Sequence, residues 1–429
     1  NATAVGKNAG LSNQGTNAVA VGREAGKTSQ NYNSVAVGWA AGNNNQGFNS
    51  VAIGVNAGQT SQANASVAMG VGAGTTVQGA NAIAVGNNAG LTSQGANAVA
   101  MGVTAGRTAQ GGSATAVGHD SGMSNQGAGG TAVGLSSGYN SQGTQAVAVG
   151  HAAGYAEQGN NATAVGYQAG QTSQKVNATA VGNLAGNSEQ GTLAIAVGAF
   201  AGQTSQGTSA TAVGDAAGYS VQGNNATAVG VLAGKTSQGT SATAVGRSAG
   251  ESAQGVYSVA VGQTAGKTNQ GGYATAIGLN AGSVSQGIFA TALGSEAGKT
   301  NQGALAVALG RDSGTTSQGT TAVAVGYASG NNNQGTYATA VGVSAGQVSQ
   351  AAYSVAMGNS AGATAQGCHS VAIGNIAATT VQGIQAVAVG YAAGQVSQGN
   401  EAVAVGYASG TTNQGLQAVA VGFQTGQVS

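Results

Sequence analysis

The sequence of 429 residues contains no proline, a single cysteine and very few charged side chains. Collagen combines glycine at every third position with abundant proline, so the 80 glycines here do not indicate a triple helix. The lone Cys368 excludes an internal disulfide framework. The 10 basic and 9 acidic side chains are spread along the chain and form no cluster that would bind nucleic acid phosphates or an anionic membrane. We therefore expect no nucleic-acid partner.

Long apolar runs are also missing. No stretch approaches the roughly 20 apolar residues that a membrane-spanning helix needs, so no membrane insertion of this segment is expected. No signal peptide is visible. The chain begins at Asn1 without Met and stops at Ser429, part-way through a repeat. We interpret it as a fragment of a longer polypeptide.

What the sequence has instead is a 16-residue repeat. A glycine follows a short apolar run at Gly6, Gly22 and Gly38 and then at the same interval to Gly422, giving 27 copies without insertion or deletion. Numbered from Asn1, the unit reads approximately N-A-[TV]-A-V-G-x-x-A-G-x-T-S-Q-G-x. Such a fixed period is the signature of a solenoid. The ordered recurrence of apolar residues does not fit disorder. We predict one continuous array over residues 1–429.

Two segments of each copy are predicted to be short β-strands. Positions 2 to 5, such as residues 18–21, are rich in small and β-branched residues and end at a glycine, which is typical of a strand. Positions 11 to 14, such as residues 27–30, form a second, more polar strand. Glycines at positions 6, 10 and 15 permit tight corners. The prediction is an all-β fold, a parallel β-solenoid or β-roll of 27 coils, with one copy of the repeat and two short strands per coil.

The first strand is apolar on both of its faces. Positions 3 and 5 carry Val, Thr, Ile, Leu or Met, whereas position 4 is Ala in every copy and position 2 is Ala or another small residue. A strand that is apolar on both faces is normally buried on both. We place the Val column inside the coil and the Ala column at a close contact between chains. The residues assigned to that contact are Ala18, Ala20, Ala148 and Ala164. The sequence is also compatible with the reverse assignment, in which the Ala column lies inside the coil. Both assignments predict self-association.

Position 14 is Gln in all 26 complete copies. Positions 7, 8, 11 and 16 vary freely, so a merely solvated position 14 would be expected to vary as well. Glutamines stacked at strand spacing can hydrogen-bond to the copies above and below, which satisfies buried amides. A row of Gln that recognises a repetitive ligand is the less favoured alternative. We predict a structural ladder that includes Gln14, Gln30, Gln46, Gln62, Gln78 and Gln94.

No pattern of catalytic or metal-binding residues is apparent. His119, His151 and His369 lie at variable positions of distant copies and have no further ligands at metal-binding spacing, although His119 adjoins Asp120. No glycine-rich strand-to-helix turn with its Lys and Ser/Thr indicates a phosphate site. Paired carboxylates on neighbouring coils, which a glycosidase would need, do not recur. We expect no enzyme activity and no cofactor.

Aromatic side chains occur almost solely at variable positions of the repeat. Exposed aromatic residues could bind a host surface protein or a glycan, or mediate lateral bundling. Tolerated substitution at outward corners is the simpler interpretation. The residues proposed for surface binding, all at position 7, are Trp39, Tyr167, Tyr327, Tyr391 and Tyr407.

The N-[SA]-[VT]-A-[VI]-G core resembles a known family of repeats. Residues 33–38, 49–54 and 161–166 are similar to the YadA-like head repeats (Hep/Hag repeats) of trimeric autotransporter adhesins, which also occur in phage and large-virus fibre proteins. The family's usual unit is shorter than this one. The resemblance implies a left-handed parallel β-roll, trimerisation, and an adhesive or fibrous role outside the cell, at a cell or virion surface.

The sequence as a whole therefore predicts a structural repeat protein that forms an extracellular or virion-surface fibre or filament. The alternative is an ice-binding β-solenoid, because flat solenoid faces with threonine columns can order water. Position 12 is often Thr, but Asn44, Ser124 and Val284 interrupt this column.

Overall fold

The computed structural model describes residues 1–427, and all of the regular elements in that range are β-strands of three residues. Val428 and Ser429, the last residues of the predicted array, lie outside the described residues. First strands occupy positions 3–5 of each copy, and second strands occupy positions 12–14. Equivalent strands of adjacent copies pair in parallel, as Thr3 with Val19. The predicted parallel β-solenoid is confirmed.

Residues 1–213 form one compact unit. Its first strands recur once in every copy, from Thr3–Val5 to Thr211–Val213. Its second strands recur in the same way, from Ser12–Gln14 to Ala156–Gln158, and then as Ser188–Gln190 and Thr204–Gln206. In the copy of residues 161–176, the second strand is replaced by isolated bridges from Thr172 to Ala156 and Ser188. Lys175 replaces the usual glycine at position 15 of that copy.

Residues 214–427 belong to the second compact unit. Its first strands recur once in every copy, from Thr227–Val229 to Val419–Val421. Its second strands recur in the same way, from Ser220–Gln222 to Val396–Gln398, and Thr412 then forms an isolated bridge. Both units therefore have the same coil design.

Backbone hydrogen bonds join each coil to both neighbours. The N–H groups of positions 3, 10, 12 and 15 donate to the following copy, as from Val19 to the Ser34 carbonyl at 2.9 Å. Those of positions 6 and 8 donate to the preceding copy, as from Gly22 to the Val5 carbonyl at 2.8 Å. Corners as well as strands are paired in this way, which satisfies backbone groups that would otherwise be buried without partners.

The corners depend on left-handed backbone conformations. In the copy of residues 17–32, φ is positive at Asn17 (59°), Gly22 (127°), Glu24 (57°), Gly26 (52°) and Ser29 (56°). Asn and Gly tolerate this region best, which explains their frequency at positions 1 and 10. Position 6 is stricter, because a Cβ added at Gly22 would lie 2.6 Å from the Gly38 carbonyl oxygen. This close approach explains a glycine in all 27 copies.

The interior of the coil is lined by the small side chains of positions 2, 4 and 9 together with Gln at position 14. Ala18, Ala20 and Ala25 are fully buried, and Gln30 is 1% exposed. The two walls are close together, since a Cβ added at Gly26 would lie 3.3 Å from the Ala20 Cβ. Only side chains of about the size of Ala or Ser fit between these walls, apart from the single extended Gln.

The prediction that the Val column fills the coil was therefore wrong. The residues assigned to a contact between chains, Ala18, Ala20, Ala148 and Ala164, all have no exposed surface within one chain. Their side chains contact the interior of the coil, so another chain cannot reach them. The Val column is instead the outer face of the strand, where side chains such as Val21 and Ile53 remain partly exposed. The narrow interior is the physical reason, because it has no room for a branched side chain at position 4.

Candidate functional site

The glutamine column runs through the coil interior and confirms the predicted ladder in part. Of the predicted members, Gln14 bonds to Gln30 and Gln78 to Gln94, whereas the Oε1 atoms of Gln46, Gln62 and Gln78 accept no bond. Gln94 Nε2 donates to the Ile83 carbonyl on the opposite wall at 2.8 Å and to Gln110 Oε1 in the next copy at 3.1 Å. The Gln–Gln bonds continue without interruption from Gln78 to Gln206 and from Gln222 to Gln350. Within these runs, each amide stabilises its own coil and is bonded to its neighbours in the column.

The ladder is interrupted where position 2 is serine. Among residues 1–427, certain glutamine Oε1 atoms of the column have no hydrogen-bond donor: Gln46, Gln62, Gln78, Gln366 and Gln382. Each of these glutamines lies in a copy that has serine at position 2. The corresponding serines are Ser34, Ser50, Ser66, Ser354 and Ser370, respectively. Ser258 is an exception, since Gln270 Oε1 accepts a bond of 3.1 Å. The buried serine hydroxyls donate to a nearby carbonyl, as from Ser50 Oγ to Gly47 O at 2.5 Å.

The bond across the coil persists where the ladder is broken. Gln30, Gln46 and Gln62 each donate at 2.8 Å to the carbonyl of position 3 in their own copy. The contact recurs along both units, from Gln14 to Gln414. A short or branched side chain could not reach that carbonyl from position 14. The bond across the coil therefore accounts for the constancy of Gln better than the ladder does.

The outward side chains of positions 3 and 5 form a second feature, which we call the valine face. It consists of Thr, Val and Ile at position 3 beside Val, Ile, Leu and Met at position 5. No charged residue occurs at either position in any copy. Side chains at position 5, such as Met69, Met101 and Leu293, are exposed although they are apolar. Each unit thus presents a continuous uncharged strip.

Charged side chains gather at the corner that follows the first strand, around positions 7, 8 and 11. Glu296 illustrates this corner. Lys299 Nζ and Asn280 Nδ2 donate to its carboxylate at 2.8 and 2.9 Å, and these bonds hold the pKa of Glu296 below its ordinary value. Arg311 and Asp312 form another ion pair there at 3.2 Å. These pairs are solvated and contribute little to stability.

The aromatic residues proposed for surface binding are exposed, and most are stacked on a neighbour one copy away. Tyr391, Tyr407 and Phe423 form a continuous stack with ring centroids 5.0 and 5.2 Å apart. Tyr167 stacks on His151 at 5.2 Å. Tyr327 lies 5.6 Å from the Arg311 guanidinium. The fifth residue, Trp39, is 52% exposed.

Further aromatic stacks lie at other positions, where the sequence prediction missed them because it considered single positions rather than pairs of copies. Their rings are parallel within 4–17°. These pairs are Tyr32–Phe48, Tyr139–Tyr155, Tyr257–Tyr273, Tyr273–Phe289, Tyr337–Tyr353 and Tyr353–His369. A search for aromatic residues at equivalent positions of consecutive copies would have found all of them.

The three histidines have structural contacts. His119 Nδ1 lies 3.0 Å from Asp120 Oδ2, and His151 and His369 stack on Tyr167 and Tyr353. Within residues 1–427, no group of three or more His, Cys, Asp or Glu side chains could hold a metal ion. The same range contains no helix that is long and apolar enough to cross a membrane.

Comparison with models of protein families finds no matching family, and no curated protein matches the sequence. The resemblance to adhesin head repeats thus continues to rest on the residues of the repeat.

Proposed function

We propose that this chain is a structural repeat protein of an extracellular or virion-surface fibre, in which copies pack side by side through the valine face. The observation that carries the proposal is the continuous uncharged strip on each unit, which is apolar at position 5 in every copy. The proposal retains the predicted self-association but assigns it to the opposite face of the strand, since the Ala column is fully buried.

The size of the strip supports this assignment. About 13 coils per unit at a spacing of about 4.8 Å, with outward side chains about 7 Å apart, give a strip on the order of 400 Å². The largest apolar patch on a typical monomeric protein is of about this size, and such a patch is often a functional surface. The complete absence of charge is further support, because isolated surface apolar residues are normally interspersed with Lys and Glu.

The resemblance to adhesin head repeats supports three finer parts of the proposal. These are the surface location, a trimer rather than another oligomer, and an adhesive role. Binding to a host protein or glycan would involve exposed aromatic residues such as Trp39 and Tyr327, which are about half exposed at 52% and 49%. The fibre itself requires only the valine face.

Charge substitutions on the valine face test the proposal. We expect Met69→Glu, Val85→Glu and Met101→Glu, combined in consecutive copies at position 5, to dissociate oligomers, because burying three carboxylates between chains is unfavourable. Sedimentation velocity measures the change, and electron microscopy of the unmodified chain shows whether fibres form.

The matched control places the same three charges at position 7. Val71→Glu, Asn87→Glu and Val103→Glu create the same stacking of like charges, and Val103 is as exposed as Met101, at 44%. Oligomers should persist in this control. Dispersed monomers of the unmodified chain, or equal dissociation by both triple variants, would contradict the proposal.

Ice binding is less well supported. It requires flat columns of outward threonines, but position 5 of the valine face has no threonine in any copy. Beside the threonines of position 12, the backbone at position 13 is left-handed, as at Ser29 with a φ of 56°, so the second strand is not fully extended. A thermal-hysteresis assay distinguishes the two functions. Clear activity at micromolar concentration would favour ice binding.

A further inference from the structure

Four pairs of tyrosines stack face to face on adjacent coils. The centroid separations are 4.7 Å for Tyr139–Tyr155, 5.1 Å for Tyr257–Tyr273, 5.2 Å for Tyr337–Tyr353 and 5.0 Å for Tyr391–Tyr407. In the second of these pairs, both side chains remain about half exposed, at 54% and 51%. Solvent therefore reaches the ring edges even though the stacked faces cover each other.

The pairing is specific rather than incidental. Tyr257 and Tyr273 have φ values of 56° and 58°, a left-handed conformation that disfavours bulky side chains. The two copies differ at neighbouring variable positions, with Gln263 in one and Leu279 in the other, so the pair is not part of an unchanged duplicated unit. Ring stacking can offset the conformational cost. We conclude that the stack itself is the feature that these positions share.

The covered faces restrict what the pairs can do. A sugar that stacks on an aromatic ring needs an open face, and Tyr273 has none because it lies between Tyr257 and Phe289, with ring centroids 5.1 and 4.9 Å apart. Since its faces are covered, the exposed half of Tyr273 is its ring edge. The ring centroids of Tyr257 and Tyr273 are 5.1 Å apart, which keeps the ortho carbons of the two rings on adjacent coils near each other, and coupling of phenoxyl radicals requires only that these carbons approach further.

We propose that these tyrosine pairs are oxidative cross-linking sites, at which Tyr257 and Tyr273 couple into dityrosine and link adjacent coils covalently. A peroxidase with hydrogen peroxide removes one electron and one proton from each phenol. The two radicals form a carbon–carbon bond between their ortho carbons. The two ortho protons then move to the phenol oxygens, which restores the aromatic rings. The peroxide is reduced to two waters, which balances the two hydrogens that the protein loses.

The test treats the folded full chain with a haem peroxidase and hydrogen peroxide. Trypsin cleaves after Lys267, between the two tyrosines, so coupling joins two peptides that are otherwise separate. We expect mass spectrometry to find the joined pair, lighter by two hydrogens than the sum of its parts. Mixing ¹⁴N- and ¹⁵N-labelled chains identifies the source, and we expect both halves to carry the same label. Joined peptides with one ¹⁴N half and one ¹⁵N half would show that the bond forms between chains, which would overturn the proposed link within one chain.

Two variants complete the test. Tyr273→Phe keeps an aromatic ring in the stack but removes one phenol, so the joined peptide should be lost. Phe48→Tyr creates a new pair with Tyr32, on which Phe48 already stacks at 5.2 Å and 4°, and it should add dityrosine fluorescence. Absence of the joined peptide from the folded chain, its persistence in Tyr273→Phe, or no gain in Phe48→Tyr would each overturn the proposal.

Discussion

At the scale of the residue, Gln at position 14 has the most demanding role. Among residues 1–427, the buried side chains are those of Ala, Ser and Gln, and only Gln is long. Gln142, for example, donates to the Thr131 carbonyl at 2.8 Å and to Gln158 Oε1 at 3.1 Å, and it accepts a bond from Gln126 at 3.0 Å. No other amino acid has both the length and the paired donor and acceptor that these contacts use.

Replacing this residue should therefore destabilise the neighbouring coils. We expect Gln142→Leu to lower the free energy of local opening by about 2 kcal/mol or more, because it leaves buried polar partners unpaired. Amide hydrogen exchange in the adjacent copies measures the loss. Gln145→Leu is the control, since Gln145 is exposed and Leu already occurs at that position at Leu193 and Leu305. Equal effects of the two variants would show that the buried amide contributes nothing specific.

At the scale of the element, the first strand has two apolar faces of unequal size. The Ala face packs inside the coil and the Val face lies outside. The interior decides this arrangement, because a Cβ added at Gly154 would lie 3.2 Å from the Ala148 Cβ. So little free space surrounds the Ala148 side chain that a branched residue at this position requires its neighbours to move.

Two substitutions in one strand compare the contribution of its inner face with that of its outer face. We expect Ala148→Val to destabilise the protein by about 1–3 kcal/mol through overpacking. Val149→Ala, on the partly exposed outer face, should cost less than about 1 kcal/mol in the separated chain. Urea denaturation of the dissociated chain measures both. The opposite order of stability would indicate that the Val side chains fill the coil.

At the scale of the whole molecule, the exact period of the repeat is the main constraint. Within each unit, strands pair with their equivalents one copy away, as Thr3 with Val19 and Thr227 with Thr243. Each copy contacts its neighbours through the same hydrogen bonds, so stability should be a sum of copies and their interfaces. No copy within the described residues contains an insertion that would break this register.

Deletions in and out of phase test this constraint. Removal of residues 97–112, one full copy, should preserve the β-sheet circular dichroism and the thermal midpoint, because every remaining strand meets an equivalent partner. Removal of residues 97–104 leaves half a copy that cannot pair in register, so nearby amides should lose protection from hydrogen exchange. Equal tolerance of both deletions would argue against a strict register.

The sequence by itself determined the period, the positions of both strands to within one residue, the glycine corners and the glutamine column. These features repeat in 27 copies, so a requirement on one position is visible as a constant residue. It also contained the aromatic stacks, which become visible when equivalent positions of consecutive copies are compared.

Only the tertiary structure decided which side of the first strand faces inward. Alternation along a strand distinguishes inside from outside when one face is polar, and here both are apolar. The deciding quantity is the width of the coil, which depends on left-handed residues such as Glu24 and Ser29 whose side chains give no sign of that conformation. The bond from Gln14 to the Thr3 carbonyl likewise joins two distant positions of one copy across that width, and only the closed coil brings them together.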